Sequence, residues 1–101
     1  MRPNALSLHV IFKTLANAGR RRVFQVICKG SGRAGQGLTV EQICRETGYK
    51  QPAVSHHIAR LTVAGLITRT RDRYWVHCSP CRKGLDPLRR FLQNPALFPA
   101  E

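Results

Sequence analysis

A chain of 101 residues, 43% of them hydrophobic, has material for one domain around one modest core, which excludes a second domain and a disordered polymer. Seventeen Lys and Arg against five Asp and Glu leave a formal charge of +12 and a pI near 11.1. Such an excess points to a polyanionic partner, because each phosphate neutralised releases condensed counterions.

From the N-terminus, Leu8, Ile11, Phe12 and Leu15 recur at helical spacing and predict a helix over residues 5–17. Gly19 punctuates, and RRRVFQVICK predicts a second helix with Val23, Val26 and Ile27 inward. GSGRAGQG then reads as a flexible loop. Its first six residues match G-x-G-x-x-G by letter. A dinucleotide site, however, needs a strand before that motif, and here a helix precedes it.

Thr39-Val40-Glu41-Gln42 has the form of a capping box, in which Thr39 covers an amide at the helix start and Gln42 reaches back. The helix it opens is expected to end at Gly48. Pro52 suits the first turn of a further helix that ends at Gly65. Two short helices joined by a tight glycine-containing turn outline a helix-turn-helix. Beyond Gly65 the period changes to two: LITRTR and YWVHC, joined across Arg71-Asp72-Arg73, predict a hairpin. A last helix, with Asp86 as cap and Pro87 at its first position, carries Leu88, Phe91 and Leu92 before Asn94-Pro95 stops it.

The fold expected is therefore mainly α (α+β): a winged helix-turn-helix with a two-stranded β-hairpin wing. It forms a single DNA-binding domain over residues 1–101, frayed at 1–4 and 95–101. No stretch is apolar enough to span a bilayer, and MRPNALSLHV lacks a signal-peptide core. A cytoplasmic, nucleoid-associated protein without a membrane partner follows.

Projected at 100° per residue, Val54, Ile58, Leu61 and Gly65 form one packing stripe of the helix over 51–65. His56 lies nearly opposite and His57 at the stripe's edge. Adjacent helical residues diverge too far to grip one metal together, so His56 is expected to face outward and His57 to pack. On the outward side Gln51 suits adenine and Arg60 suits guanine or phosphate. Ser55 and His56 can hydrogen-bond base edges or phosphates. Arg69, Arg71 and Arg73 alternate around the hairpin tip, where they could enter a minor groove or straddle phosphates. The bland alternative for these residues is a solvated polar face.

The segment TVEQICRETGYKQPAVSHHIARLTVAGLITR resembles the ArsR/SmtB family of dimeric bacterial repressors. Gln51-Pro52-Ala53-Val54-Ser55-His56-His57-Ile58, Leu61 and Ala64-Gly65-Leu66 fall on that family's S-Q-P-x-V-S-x-H-L-x-x-L-x-x-A-G-L run. LANAGRRRVFQVI is similar to its earlier helix entry. The resemblance spans roughly residues 8–92. It implies a homodimer through the first and last helices, with Leu8, Ile11, Phe12, Leu15, Leu88, Phe91 and Leu92 as its apolar interface. It also implies a palindromic double-stranded operator near the regulator's own gene. The family's C-V-C metal motif aligns with Thr39-Val40-Glu41, so that site is absent. Residues 86–94 offer Asp86 but no His toward the family's zinc site. No metal ligand set is assigned.

In a cytoplasmic protein the four cysteines are expected to be free, sensing or metal-bound. Cys78 and Cys81 form C-x-x-C beside His77, which could hold a soft metal such as arsenite or zinc. Cys81 near a helix start, with Arg82 and Lys83 adjacent, would have its thiolate favoured. The resemblance adds thiol sensing of oxidants or persulfide through Cys28 and either Cys78 or Cys81. Against all of these, Cys28 and Cys44 also fit helix core faces as small hydrophobes. Five scattered carboxylates and four histidines assemble no acid/base pair or activated nucleophile, so no catalytic residue is expected. The leading expectation is a sequence-specific transcriptional repressor. Its alternative is a basic module that binds DNA or RNA without an operator.

Overall fold

Val23, Val26, Ile27 and Gly30 repeat at helical spacing and all four are buried, so the helix they define is the one around which the rest is laid. The computed structural model describes residues 3–34 and 36–97, and the side chains of 8–31 and 36–97. In chain order the elements are α1 (Pro3–Leu15), α2 (Ala18–Ala34), β1 (Leu38–Thr39), α3 (Val40–Thr47), α4 (Gln51–Val63), β2 (Ile67–Asp72), β3 (Trp75–Pro80) and α5 (Arg82–Leu92), followed by a 3-10 turn over Pro95–Leu97. Helix α2 touches α1, α3, α4, β1 and β3.

The core joins Ile11 of α1, Val23, Val26 and Ile27 of α2, Leu38 of β1, and Ile43 of α3 to Val54, Ile58 and Leu61 of α4. Leu66, Ile67 and Cys78 close it beneath the sheet. Fully burying one such aliphatic side chain contributes about 1.5–3 kcal/mol relative to exposure.

The structure corrects several sequence expectations. Gly30 to Ala34 are helical, not loop. A Cβ on Gly30 would stand 2.5 Å from Leu38 Cδ1, so that glycine serves the approach of β1 to α2. The hairpin wing forms as β2-β3, and a third strand adds to it: β1 pairs with β3, giving a three-stranded antiparallel sheet in the order β1-β3-β2. Two residues are too few to show a period-two pattern, so Leu38–Thr39 could not be seen as a strand. The hairpin turns at Arg73-Tyr74, with Asp72 opposite Trp75.

Helix α5 starts at Arg82, with Cys81 rather than Asp86 as its cap: Cys81 Sγ accepts from the Gly84 amide at 3.4 Å. Pro87 lies inside that helix, and Asp86 instead pairs with Arg89 and, at 2.7 Å, with Arg90. These two partners hold the Asp86 carboxyl below its ordinary range, the Arg89 hydrogen bond first. At the ends, α1 begins at Pro3 and Pro95–Leu97 form a 3-10 turn. The rest of the expected frayed ends, residues 1–2 and 98–101, lies outside the described residues.

Candidate nucleic-acid interface

The first helix of the helix-turn-helix begins as the capping box predicts. Gln42 N–H donates to Thr39 Oγ1 at 3.2 Å, and Thr39 N–H donates to Gln42 Oε1 at 2.9 Å. Gly48 ends it at φ +77, its amide donating to the Cys44 carbonyl at 2.8 Å. Lys50 then precedes α4, with Pro52 in the first turn where an amide hydrogen would have no helical partner.

Val54, Ile58 and Leu61 are buried, while Gln51, Ser55, His56 and Arg60 are all exposed. The stripe thus turns the four predicted base-reading side chains to solvent on one helix. The two histidines divide as their angular separation requires. His56 is exposed and His57 half-buried, their ring centroids 5.9 Å apart. His57 lies against the start of α2, where a Cβ on Gly19 would come within 3.0 Å of its Nε2. Its other side faces Tyr49, at 6.3 Å between ring centroids. Burial, then the nearby Arg20 charge, then His56 pull the His57 imidazole below its ordinary pKa. Its Nδ1 is buried without a hydrogen-bond partner among the described residues.

On the wing, Arg69 and Arg71 stand opposite Cys78 and Val76. Directly opposed residues share a face, so the two arginines continue the core face of the sheet outward beyond the core. Arg73 leaves that alternation: it occupies the turn at φ +59, a conformation that costs a non-glycine residue about 1–2 kcal/mol. All three arginines are exposed. The wing tip and the start of α4 are neighbours, since Gln51, Tyr74 and Trp75 line one cleft.

The run Arg20-Arg21-Arg22 has a different task. Arg20 Nη1 donates to the Thr14 carbonyl at 3.1 Å and Arg21 Nη1 to the Leu15 carbonyl at 2.7 Å. These close the end of α1, and Arg22 Nη2 reaches the Glu46 carbonyl at 3.3 Å near the end of α3. Unpaired carbonyls at helix ends attract cations.

The predicted sensor cysteines are spread over three elements. Cys28 is half-buried in α2, Cys78 is fully buried on β3, and Cys81 is the half-buried cap of α5. Burial pushes both Cys28 and Cys78 up from the ordinary thiol value, and Arg69 offsets part of the rise at Cys78. Among the described residues His77, Cys78 and Cys81 do not gather into a three-ligand metal group. Sequence reasoning missed the exposed aromatic pair at the wing tip, Tyr74 and Trp75. The signal was the two-residue turn that places them there.

Of the predicted interface residues, Ile11 is corrected: it is wholly buried within the protomer and belongs to the core. Phe12 and Leu92 remain 46% and 51% exposed. Leu8 and Phe91 are half-buried, and Leu15 and Leu88 are half-buried against the core. The rings of Phe12 and Phe91 meet edge to face, 5.5 Å between centroids.

Residues 15–70 match the family model of a helix-turn-helix domain. The chain belongs to that helix-turn-helix family. Among solved structures, its fold is similar to HlyU from Vibrio cholerae, with a TM-score of 0.70 at 20% identity, covering 97% of this chain and 98% of that one. It is also similar to an ArsR-like transcriptional regulator from Rhodococcus sp. RHA1, with a TM-score of 0.75 at 13% identity over 92% of this chain and 82% of that one. A homodimeric winged helix-turn-helix DNA-binding domain from Mycobacterium bovis, Mb0332, gives a TM-score of 0.69 at 22% identity over 99% and 89%. No curated protein matches the sequence significantly. The chain thus has the winged helix-turn-helix fold, and the expected resemblance holds at the level of fold. In this winged helix α4 is the second helix of the helix-turn-helix and β2-β3 the wing. None of its described helices is long and apolar enough to cross a membrane.

Proposed function

We propose that this winged helix is a sequence-specific DNA-binding repressor, acting as a homodimer on a palindromic operator near its own gene. The observation that carries the proposal is the placement of the exposed row Gln51, Ser55, His56 and Arg60 beside a wing bearing Arg69, Arg71 and Arg73, in a chain of charge +12. Recognition helix and wing together suit adjacent grooves: the helix offers donors and acceptors to base edges, and the arginines neutralise flanking phosphates.

Dimerisation follows in this reading from the apolar side chains that α1 and α5 leave exposed, Phe12 and Leu92 among them. A two-fold axis there would present two recognition helices to half-sites about 34 Å apart. Mb0332, described as homodimeric, supports this by similarity of fold. Occluding a promoter suffices for a protein of this size to repress.

The test is a fluorescence-anisotropy titration of reduced protein against its own upstream DNA and a shuffled control near physiological salt. Preference for the palindromic DNA by about a thousandfold or more is expected. Equal affinity for both would replace the repressor with a basic module that binds DNA or RNA without an operator. The same titration, repeated with arsenite, zinc or a thiol oxidant, tests an inducer acting through Cys28, Cys78 or Cys81. Release of DNA is expected, and unchanged affinity would remove the thiols from the mechanism.

A further inference from the structure

Grooves of this molecule characteristically include several cations. Arg22, Lys29 and Arg45 line one between α2 and α3, and Lys13, Arg20 and Arg60 line another between α1 and α4. One cleft departs from that rule. It measures about 540 Å³ and opens between α3 and the wing, with Glu41 and Cys44 on one side, Gln51 at its end, and Tyr74 and Trp75 on the other. None of its lining residues is Lys or Arg, although the chain has 17 of them among 101 residues.

Glu41 is exposed there and has no ion pair; the ion pairs among the described residues join Asp86 to Arg89 and Arg90. Trp75 is 53% and Tyr74 89% exposed, so each ring leaves aromatic surface uncovered. A phosphate entering this cleft would meet the Glu41 carboxylate and no cation among the lining residues; Arg45 lines an adjoining groove that shares Glu41 and Trp75. A neutral apolar molecule would cover Glu41 without replacing its water, which is unfavourable for a charge. An organic cation with an apolar body meets both demands: its charge pairs with Glu41 and lies over the electron-rich ring faces, while its body covers the aromatics. The volume lies within the range of about 300–1,000 Å³ usual for small-molecule sites.

We propose that this cleft binds a small apolar organic cation, held by Glu41 and the rings of Tyr74 and Trp75. Because the occupant sits between the wing tip and Gln51, the first residue of α4, it fixes the spacing of the two parts meant to engage DNA and lowers DNA affinity. This second step rests on the proposed function; the binding does not.

Trp75 is the single tryptophan of the chain, so its emission reports occupancy of the cleft directly. Tetraphenylphosphonium is titrated into the full chain, with neutral triphenylphosphine oxide as a probe of similar apolar body. A saturable change in Trp75 emission is expected with the cation alone. Glu41→Gln and, independently, Tyr74→Ala are expected to weaken it about tenfold. Both positions are exposed, and unchanged circular dichroism would establish that each variant folds. No saturable change, or equal binding of the neutral probe, or undiminished binding by both variants overturns the site. In a second arm the cation is added to the protein on its upstream DNA. Release from wild type but not from Glu41→Gln supports the coupling, whereas cation binding without any change in DNA affinity overturns the coupling and leaves the site. Failure to bind DNA at all overturns the proposed function and leaves the fluorescence result intact.

Discussion

At the scale of single residues, like side chains in this protein do unlike work, and the difference lies in what each one meets. Arg20, Arg21 and Arg22 spend their donors on carbonyls at helix ends, whereas Arg60 is exposed on α4. Arg60→Ala is therefore expected to cost about 1–3 kcal/mol on the operator and little on random DNA, if it reads a base. Equal losses in the two anisotropy titrations would make it a phosphate-binding residue. His57 gives a pH dependence. Its imidazole titrates below its ordinary value in the folded state, with burial first among the causes. The unfolded chain therefore takes up the proton first as the solution is acidified. Stability is fully present above the ordinary histidine value of about 6.5 and is lost as pH falls from there through the lower folded value. Urea midpoints at pH 7.5 and 5.5 should thus separate for wild type more than for His57→Gln. An equal separation would take His57 out of the acid response.

The elements extend this to backbone and packing. α5 approaches the turn before β2 so closely that a Cβ on Gly84 would lie 1.7 Å from the Gly65 carbonyl oxygen. Backbone cannot yield as a flexible side chain does, so Gly84→Ala should destabilise the fold by about 1–3 kcal/mol or more, read from the urea midpoint. An unchanged midpoint would mean that α5 shifts freely. The wing is the other element with a measurable task. Arg71→Ala combined with Arg73→Gly removes two cations, and glycine accepts the φ of +59 without strain. The slope of log affinity against log salt should flatten by about 2, near 0.9 for each phosphate that is no longer neutralised. An unaltered slope would detach the wing from DNA.

For the whole molecule, the open apolar face of α1 and α5 predicts assembly. Phe12→Glu places a carboxylate where Phe12 is 46% exposed beside Phe91. It should weaken the dimer by about 2 kcal/mol or more, seen as monomer by sedimentation; a persistent dimer would place the interface elsewhere. The helix-turn-helix was legible from sequence because its signals are local. A capping box, a left-handed glycine, a proline in a first turn and a buried i, i+4, i+7 stripe each act within one helix of the chain. The change to period two announced the wing for the same reason. Pairings between residues distant in sequence carry no such local mark. Leu38 became a strand only because Cys78 lies beside it, and Gly30 takes no side chain because Leu38 fills that space. Pro87 sits within α5 because that helix begins at Arg82, capped by Cys81, and Ile11 left the predicted interface because the core closes over it. The sequence by itself determined the helix-turn-helix, the charge and the exposed face of α4, whose physics spans a turn or two of chain. The third strand, the start of α5 and the cation-free cleft were decided by the tertiary structure, since each depends on surfaces that meet only once the chain has folded.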